Sequence, residues 1–346
     1  MRDILPEALG WLNQGKKVAL ATVVGVKRSG PRPLGSKMAV AGSGEMVGSV
    51  SGGCVEGAVV EQCLEALNTG LPRLLSYGIS TAQAIDLGLM CGGSIDLFIE
   101  PVTATTEGQF RHLAALIEQG HPLSTATCIR GSQVGKKWIF CPDLAESERA
   151  PIPPVLLAAM EKTLCERTPR KETLMIAGGE CDYFLDAFLP PLRLVVVGAV
   201  HIAIPLVQMA KILGFQTIVV DPRKAFATRE RFPQVDQLIH TWPDEALSAL
   251  LLDANTAVVA LSHDPKLDNP ALFVACQSPA AYIGALGSRK THAGRLEELR
   301  ARNLDAAQLA RIHAPIGLDL GGESPEEIAL SILAEIIRNL HPPHSH

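Results

Sequence analysis

Residues 192–221 run LRLVVVGAVHIAIPLVQMAKILGFQTIVVD. Leu192 to Val197 is a short, almost continuously apolar run, the pattern left by a parallel strand buried on both faces. A glycine turn follows at Gly198, then a helical stretch to Leu213, a break at Gly214, and a second strand, Gln216 to Val220, that ends in Asp221. Strand, glycine turn, helix, strand and terminal acid make the opening unit of a Rossmann fold, with Asp221 lying 23 residues beyond Gly198. The dinucleotide fingerprint inside it is incomplete. Gly198, Val200 and Ala203 fill the three glycine positions, and valine puts a branched side chain where the second glycine lets the backbone approach a pyrophosphate.

The alternation continues downstream. Strands are expected at Gln237 to His240, Thr256 to Leu261 and Tyr282 to Leu286, with helices from Pro243 to Leu251, Asn269 to Cys276 and Arg289 to Arg302. Polar residues gather at the predicted carboxyl ends of the strands, the edge where doubly wound sheets bind ligands. Gly198, Ala199, His201, Asp221, Arg223, His263, Asp264 and Arg289 are the candidates there for NAD(P) or another nucleotide, Asp221 being placed to meet a ribose 2′-hydroxyl. Isolated histidines near helix starts more often satisfy backbone groups than bind metal. Ser324, Pro325 and Glu327 have the spacing of a capped helix start.

Composition changes at Pro190-Pro191, which marks the expected boundary between residues 1–190 and a Rossmann-like domain over 191–346. The first half predicts a mixed α/β domain of β-rich character. A helix over 3–15 leads to a buried strand, Val18 to Val26, and a hairpin over Lys37 to Val50. Lys27 to Gly35 is a basic loop stiffened by prolines, suited either to contact an anion or simply to connect strands. A further helix is expected at 107–119, strands at Leu123 to Ile129, Lys137 to Phe140, Glu172 to Ala177 and Cys181 to Phe188, and a proline-marked loop across 142–154.

Within this half, GSVSGGCVEGAVVEQCLEAL (48–67) turns a strand into a helix through Ser51-Gly52-Gly53, with Cys54 at or near the helix start and Glu56 just behind it. Free N–H groups and the helix dipole favour a thiolate there, and the same N–H groups suit a phosphate or another anion. The competing reading is a packed structural cysteine beside a glycine turn. A second cysteine precedes paired glycines at Cys91-Gly92-Gly93, at the entrance of an alternating strand, Ser94 to Glu100. If the two turns meet, two thiols would line one pocket.

With 346 residues and 47% apolar content, the chain has ample material for two cores. Its net charge of -5 and the absence of a long basic run argue against nucleic acid as the main partner. Neither a signal peptide nor an 18-residue apolar span is evident, so a cytoplasmic protein with reduced cysteines and no membrane insertion is expected. The eight cysteines never form C-x-x-C, which opposes a structural zinc finger or an iron–sulfur cluster.

Several stretches resemble the xanthine dehydrogenase accessory protein family, the XdhC/CoxI group. They include GSVSGGCVEG (48–57), MCGGSIDLFIEP (90–101), VVVGAVHIA (195–203), DPRKAFATRERFP (221–233), LSHDPKLDNPAL (261–272), YIGALGSRKTHAGRLEEL (282–299) and IHAPIGLDLGGESPEEIALSILAEI (312–336), while residues 102–190 match least. The resemblance implies a chaperone that binds a molybdopterin-type molybdenum cofactor and guards it during sulfuration. A cysteine desulfurase would be its partner, and a xanthine dehydrogenase-like apoenzyme would receive the cofactor. It also implies a homodimer. Carried onto this chain, the family motif makes Cys54 the molybdenum or sulfur contact and Cys91 the second candidate, with Ser51, Gly52, Gly53, Glu56, Gly92 and Gly93 around them. The chain is too short for a complete molybdenum hydroxylase and lacks its iron–sulfur cysteines. An oxidoreductase working through the second half is the alternative.

Overall fold

The computed structural model describes residues 1–27, 30–78, 93–145, 147, 150–176 and 179–340. The chain divides into two compact units, Met1–Pro190 and Pro191–His346.

The first unit contains two antiparallel sheets. One is five-stranded, in the order β3-β2-β1-β5-β4, from β1 (Val18–Lys27), β2 (Lys37–Ala41), β3 (Met46–Gly48), β4 (Arg73–Gly78) and β5 (Ser94–Val102). The other is four-stranded, β7-β6-β9-β8, from β6 (Leu123–Arg130), β7 (Lys137–Phe140), β8 (Arg170–Ile176) and β9 (Gly179–Phe188). Strand β1 is central and its side chains alternate between two cores. Ala19, Ala21 and Val23 face helix α2 (Glu56–Thr69), packing with Val59, Cys63 and Ala66, while Val24 meets Phe98, Ile129 and Phe184 between the sheets. Helices α1 (Leu5–Asn13) and α3 (Glu107–Glu118) close a third cluster with Leu20 and Leu123. Lys37 and Asp186 form a buried ion pair at 2.5 Å, joining β2 to β9.

Helix α4 (Pro154–Glu166) occupies the stretch just after the expected proline loop. Its first residue is proline, whose missing N–H costs nothing in a first helical turn. Leu156, Ala159 and Met160 then bury against Cys128, Tyr183 and Leu185 of the four-stranded sheet.

The second unit is a six-stranded parallel sheet, β12-β11-β10-β13-β14-β15, with helices packed on it, so the C-terminal unit is Rossmann-like and the chain as a whole is mixed α/β. Its strands are β10 (Arg193–Val197), β11 (Gln216–Val220), β12 (Gln237–Ile239), β13 (Thr256–Ala260), β14 (Tyr282–Ala285) and β15 (Ile312–His313). Strands β10 and β13 are neighbours, and the direction of winding reverses between them. The helices are α5 (Ala203–Ile212), α6 (Pro243–Ala249), α7 (Pro265–Gln277), α8 (Arg289–Ala301), α9 (Ala306–Leu309) and α10 (Pro325–Leu340). Helix α7 begins four residues earlier than its sequence pattern suggests, because Asp264 caps it by accepting the Lys266 N–H at 2.9 Å. Ser324 and Glu327 cap α10 reciprocally, with Glu327 N–H on Ser324 Oγ at 3.2 Å and Ser324 N–H on Glu327 Oε2 at 3.0 Å.

Candidate functional site

The register of the five-stranded sheet sends β3 and the entrance of β5 toward one end but not to one level, since Gly48 pairs with Met38, Met38 with Ala21 and Ala21 with Ile99, five residues along β5 from Ser94. Lys27 and Gly78 both pair with Ser94, so the exits of β1 and β4 meet the entrance of β5, and β3 leaves the sheet toward the same end at Gly48. Gly93 is buried at the entrance of β5, and Cys91 and Gly92 lie outside the described residues. The chain from β3 to α2 is a tight turn in which Gly52 and Gly53 adopt φ of +75° and +113°, conformations that exclude ordinary side chains. No atom lies near the space a side chain would take at either glycine, so backbone conformation is what requires them.

The amides of this turn are not free. Glu56, 6% exposed, folds its carboxylate back into the turn. Oε1 accepts from Ser49 Oγ at 2.8 Å, Ser51 N–H at 2.9 Å and Val50 N–H at 3.3 Å. Oε2 accepts from the Ser51 hydroxyl, Gly53 N–H at 2.9 Å and Val55 N–H at 3.2 Å. Burial alone would raise its pKa, but the hydroxyls of Ser51 and Ser49 and the turn amides overcome it and hold the carboxyl down at about 2. The remaining amides turn inward too, Gly52 N–H to Ser49 Oγ and Cys54 N–H to Ser51 Oγ. The anion that this turn binds is therefore the protein's own carboxylate, and an external phosphate held by free amides is not the geometry found.

The turn also carries a thiol. Cys54 is half-buried and forms no disulfide, two residues ahead of α2. Among the other described cysteines, Cys63, Cys128, Cys141, Cys181 and Cys276 are buried and only Cys165 is exposed. Burial pushes the Cys63 thiol up to about 12 and that of Cys276 to about 11, which keeps both protonated.

In the second unit, Gly198 ends β10 with φ +100°, and a side chain there would run into the backbone of Ser262 at 2.8 Å. Asp221 is fully buried and faces back into the turn. Its Oδ2 accepts the Ala199 N–H at 2.8 Å and Arg223 Nη2 at 2.7 Å, and its Oδ1 accepts Arg223 N–H and Nε, both at 2.9 Å. Four donors fill both oxygens, and although burial opposes it, the Arg223 hydrogen bond leads in holding this carboxyl below its ordinary range. A ribose hydroxyl finds no acceptor here, so with Val200 in place of the second glycine the residues present do not fit a dinucleotide in the usual Rossmann manner. Arg223 lies over the Phe226 ring at 4.4 Å. His201, His263 and Arg289 are exposed, and His263 is held at φ +61°, uncommon for a residue other than glycine.

Beside these residues lies a buried polar group that sequence reading missed. Asp268 Oδ1 accepts Ser262 Oγ at 2.6 Å and Ser262 N–H at 3.2 Å, and its Oδ2 is 3.6 Å from Arg295 Nη2. Burial raises the Asp268 carboxyl pKa against the pull of Ser262 and Arg295. No local motif joins Ser262, Asp268 and Arg295, since they come from the end of β13, the first turns of α7 and the middle of α8.

The two units correspond to two family descriptions. Residues 194–336 match the XdhC Rossmann domain, and residues 11–78, which include the Cys54 turn, match the XdhC and CoxI family. The chain belongs to the XdhC family. Among its relatives, a probable xanthine dehydrogenase subunit from Bacillus subtilis (strain 168) is 28% identical over 332 residues, covering 94% of each chain. The molybdenum cofactor insertion chaperone PaoD of Escherichia coli (strain K12) is 27% identical, with 97% of this chain and 87% of PaoD aligned. A crystal structure described as a xanthine dehydrogenase from Bacillus halodurans shares the fold, with a TM-score of 0.78 and 23% identity across 97% of this chain and 95% of that one.

Proposed function

We propose that this chain is a maturation factor for the molybdenum cofactor, holding the cofactor as cargo and passing it to a xanthine dehydrogenase-type molybdoenzyme. The observation that carries this reading is the near full-length relationship to a chaperone named for cofactor insertion, joined to a half-buried thiol on a conformationally fixed turn. A thiolate suits a soft metal–sulfur centre. Cys54 contacts the molybdenum or its sulfur, and Ser51, Gly52, Gly53 and Glu56 contribute by shaping the turn that presents it. Gly93, at the entrance of β5, and Cys91 and Gly92, next to it in sequence, complete the candidate set. The finer steps belong to the same proposal: protection during sulfuration with a cysteine desulfurase as partner, work as a homodimer, and a cytoplasmic setting. No helix among the described residues is long and apolar enough to cross a membrane. The filled Asp221 carboxylate supports this reading over an NAD(P)-dependent oxidoreductase.

The test is to purify the full chain from cells that make the cofactor, oxidise it, and measure the fluorescent pterin product together with molybdenum. Pterin and metal leaving the column with the protein support the proposal. A protein free of both after purification under anaerobic conditions opposes it.

A further inference from the structure

A second group of metal-binding side chains converges in the first unit, away from the Cys54 turn. Strands β6 and β7 pair with Ser124 opposite Phe140, so the turn entering β6 and the turn leaving β7 lie side by side. His121 sits on the first of these. Its backbone is fixed by the closure of α3, with Gly120 N–H on Ile117 O at 3.2 Å, His121 N–H on Leu116 O at 3.0 Å, and Gly120 left-handed at φ +80°. The second turn carries Cys141, Pro142 and Asp143 and is closed by Leu144 N–H on Cys141 O at 3.3 Å. Two constrained turns thus hold three donors. His121 Nδ1 is 2.9 Å from Asp143 Oδ2, and the ligand atoms of His121, Cys141 and Asp143 all lie within 4.8 Å of one another.

Burial is graded across the group. Cys141 is 1% exposed among the apolar residues beneath, His121 is half-buried and Asp143 is exposed, which leaves the outer side open to water. A nitrogen, a sulfur and a carboxylate oxygen suit a borderline-soft divalent ion and disfavour magnesium or calcium, which take oxygen alone. With metal–ligand bonds of about 2.0–2.3 Å, tetrahedral donors stand roughly 3.3–3.6 Å apart. The His121–Asp143 pair would open by a few tenths of an ångström, and the sulfur would close by up to about 1.5 Å, changes that side-chain rotation supplies.

We infer that His121, Cys141 and Asp143 form a zinc-class metal site whose fourth position is taken by water. Binding replaces the His121–Asp143 hydrogen bond with metal bonds and releases the Cys141 thiol proton to solvent. The ion joins the end of α3 to the exit of β7 and stabilises the first unit. The site is independent of the cargo-holding role assigned to Cys54.

Cobalt(II) and zinc(II) added separately to the chelator-treated full chain provide the test. The site predicts a thiolate-to-cobalt charge-transfer band in the near ultraviolet and a zinc-dependent rise in the thermal midpoint. Both are lost in Cys141→Ala and weakened in Asp143→Asn, a surface change that leaves the core untouched. Lack of the band in the natural chain overturns the inference. So does an unchanged band and zinc shift in both variants, which would place the ion on another thiol, for example Cys54.

Discussion

Glu56 opens α2, yet the six hydrogen-bond donors on its carboxylate all come from the preceding turn, Ser49 to Val55. The carboxyl is lowered from an ordinary 4.5 to about 2, which at about 1.4 kcal/mol per unit corresponds to about 3 kcal/mol of stability for a side chain this little exposed. Because the folded value is depressed, that contribution is complete above pH 4.5 and is lost as the pH falls toward 2. Glu56→Gln places an amide against backbone donors, and we expect it to cost about 3 kcal/mol at pH 7 and much less near pH 2, by urea unfolding at both. Equal losses at both pH values would show that the charge is not what matters. At Asp221 the same logic predicts that calorimetry with NAD and NADP detects no binding, and that Asp221→Asn destabilises the second unit by roughly 2–3 kcal/mol without creating any. Tight NAD binding that Asp221→Asn abolishes would reverse that assignment. Both acids stand where the sequence puts a ligand-binding acid, but a sequence does not record which way a carboxylate turns. The amides it selects become visible only once the turn is folded.

At the scale of elements, the parallel sheet was legible because its strands are unbroken apolar runs separated by glycine turns and helices of ordinary length. Gly198 is the junction where that pattern becomes geometry, since it needs φ +100° and packs against Ser262 across the point where the winding reverses. Gly198→Ala is expected to destabilise the chain by roughly 2 kcal/mol or more in thermal or denaturant unfolding; a neutral result would mean the two loops separate readily. Helix α4 was hidden because prolines in series suggest a loop, although Pro154 starts the helix and its apolar residues find partners on β6 and β9, strands outside its own sequence window. The Ser262, Asp268 and Arg295 group was hidden for a related reason: its members are spaced by tertiary structure and match no local repeat.

For the whole molecule, each unit contains its own buried clusters. In the second, Leu194, Val196 and Val219 pack with Ile332 and Ile336 on one side of the sheet, and Val195, Val258 and Leu272 form the core of the other. Residues 191–346 expressed alone are therefore expected to fold, giving a cooperative thermal transition and mixed α/β circular dichroism. A fragment that lacks both would mean the second unit depends on the first. The division also separates the tasks proposed for the chain, because the candidate thiol belongs wholly to the first unit while the second carries a Rossmann sheet whose usual acid is already committed.

The most direct measurement compares cofactor retention in Cys54→Ser and Cys165→Ser with the natural chain, each purified from the same cofactor-producing cells and verified as folded. Cys165 is exposed at the end of α4, far in sequence from the glycine turn, and serves as the control for a merely accessible thiol. We predict that Cys54→Ser loses bound pterin and molybdenum while Cys165→Ser keeps both. Full retention by a folded Cys54→Ser protein would contradict the assignment of that thiol as the holding group.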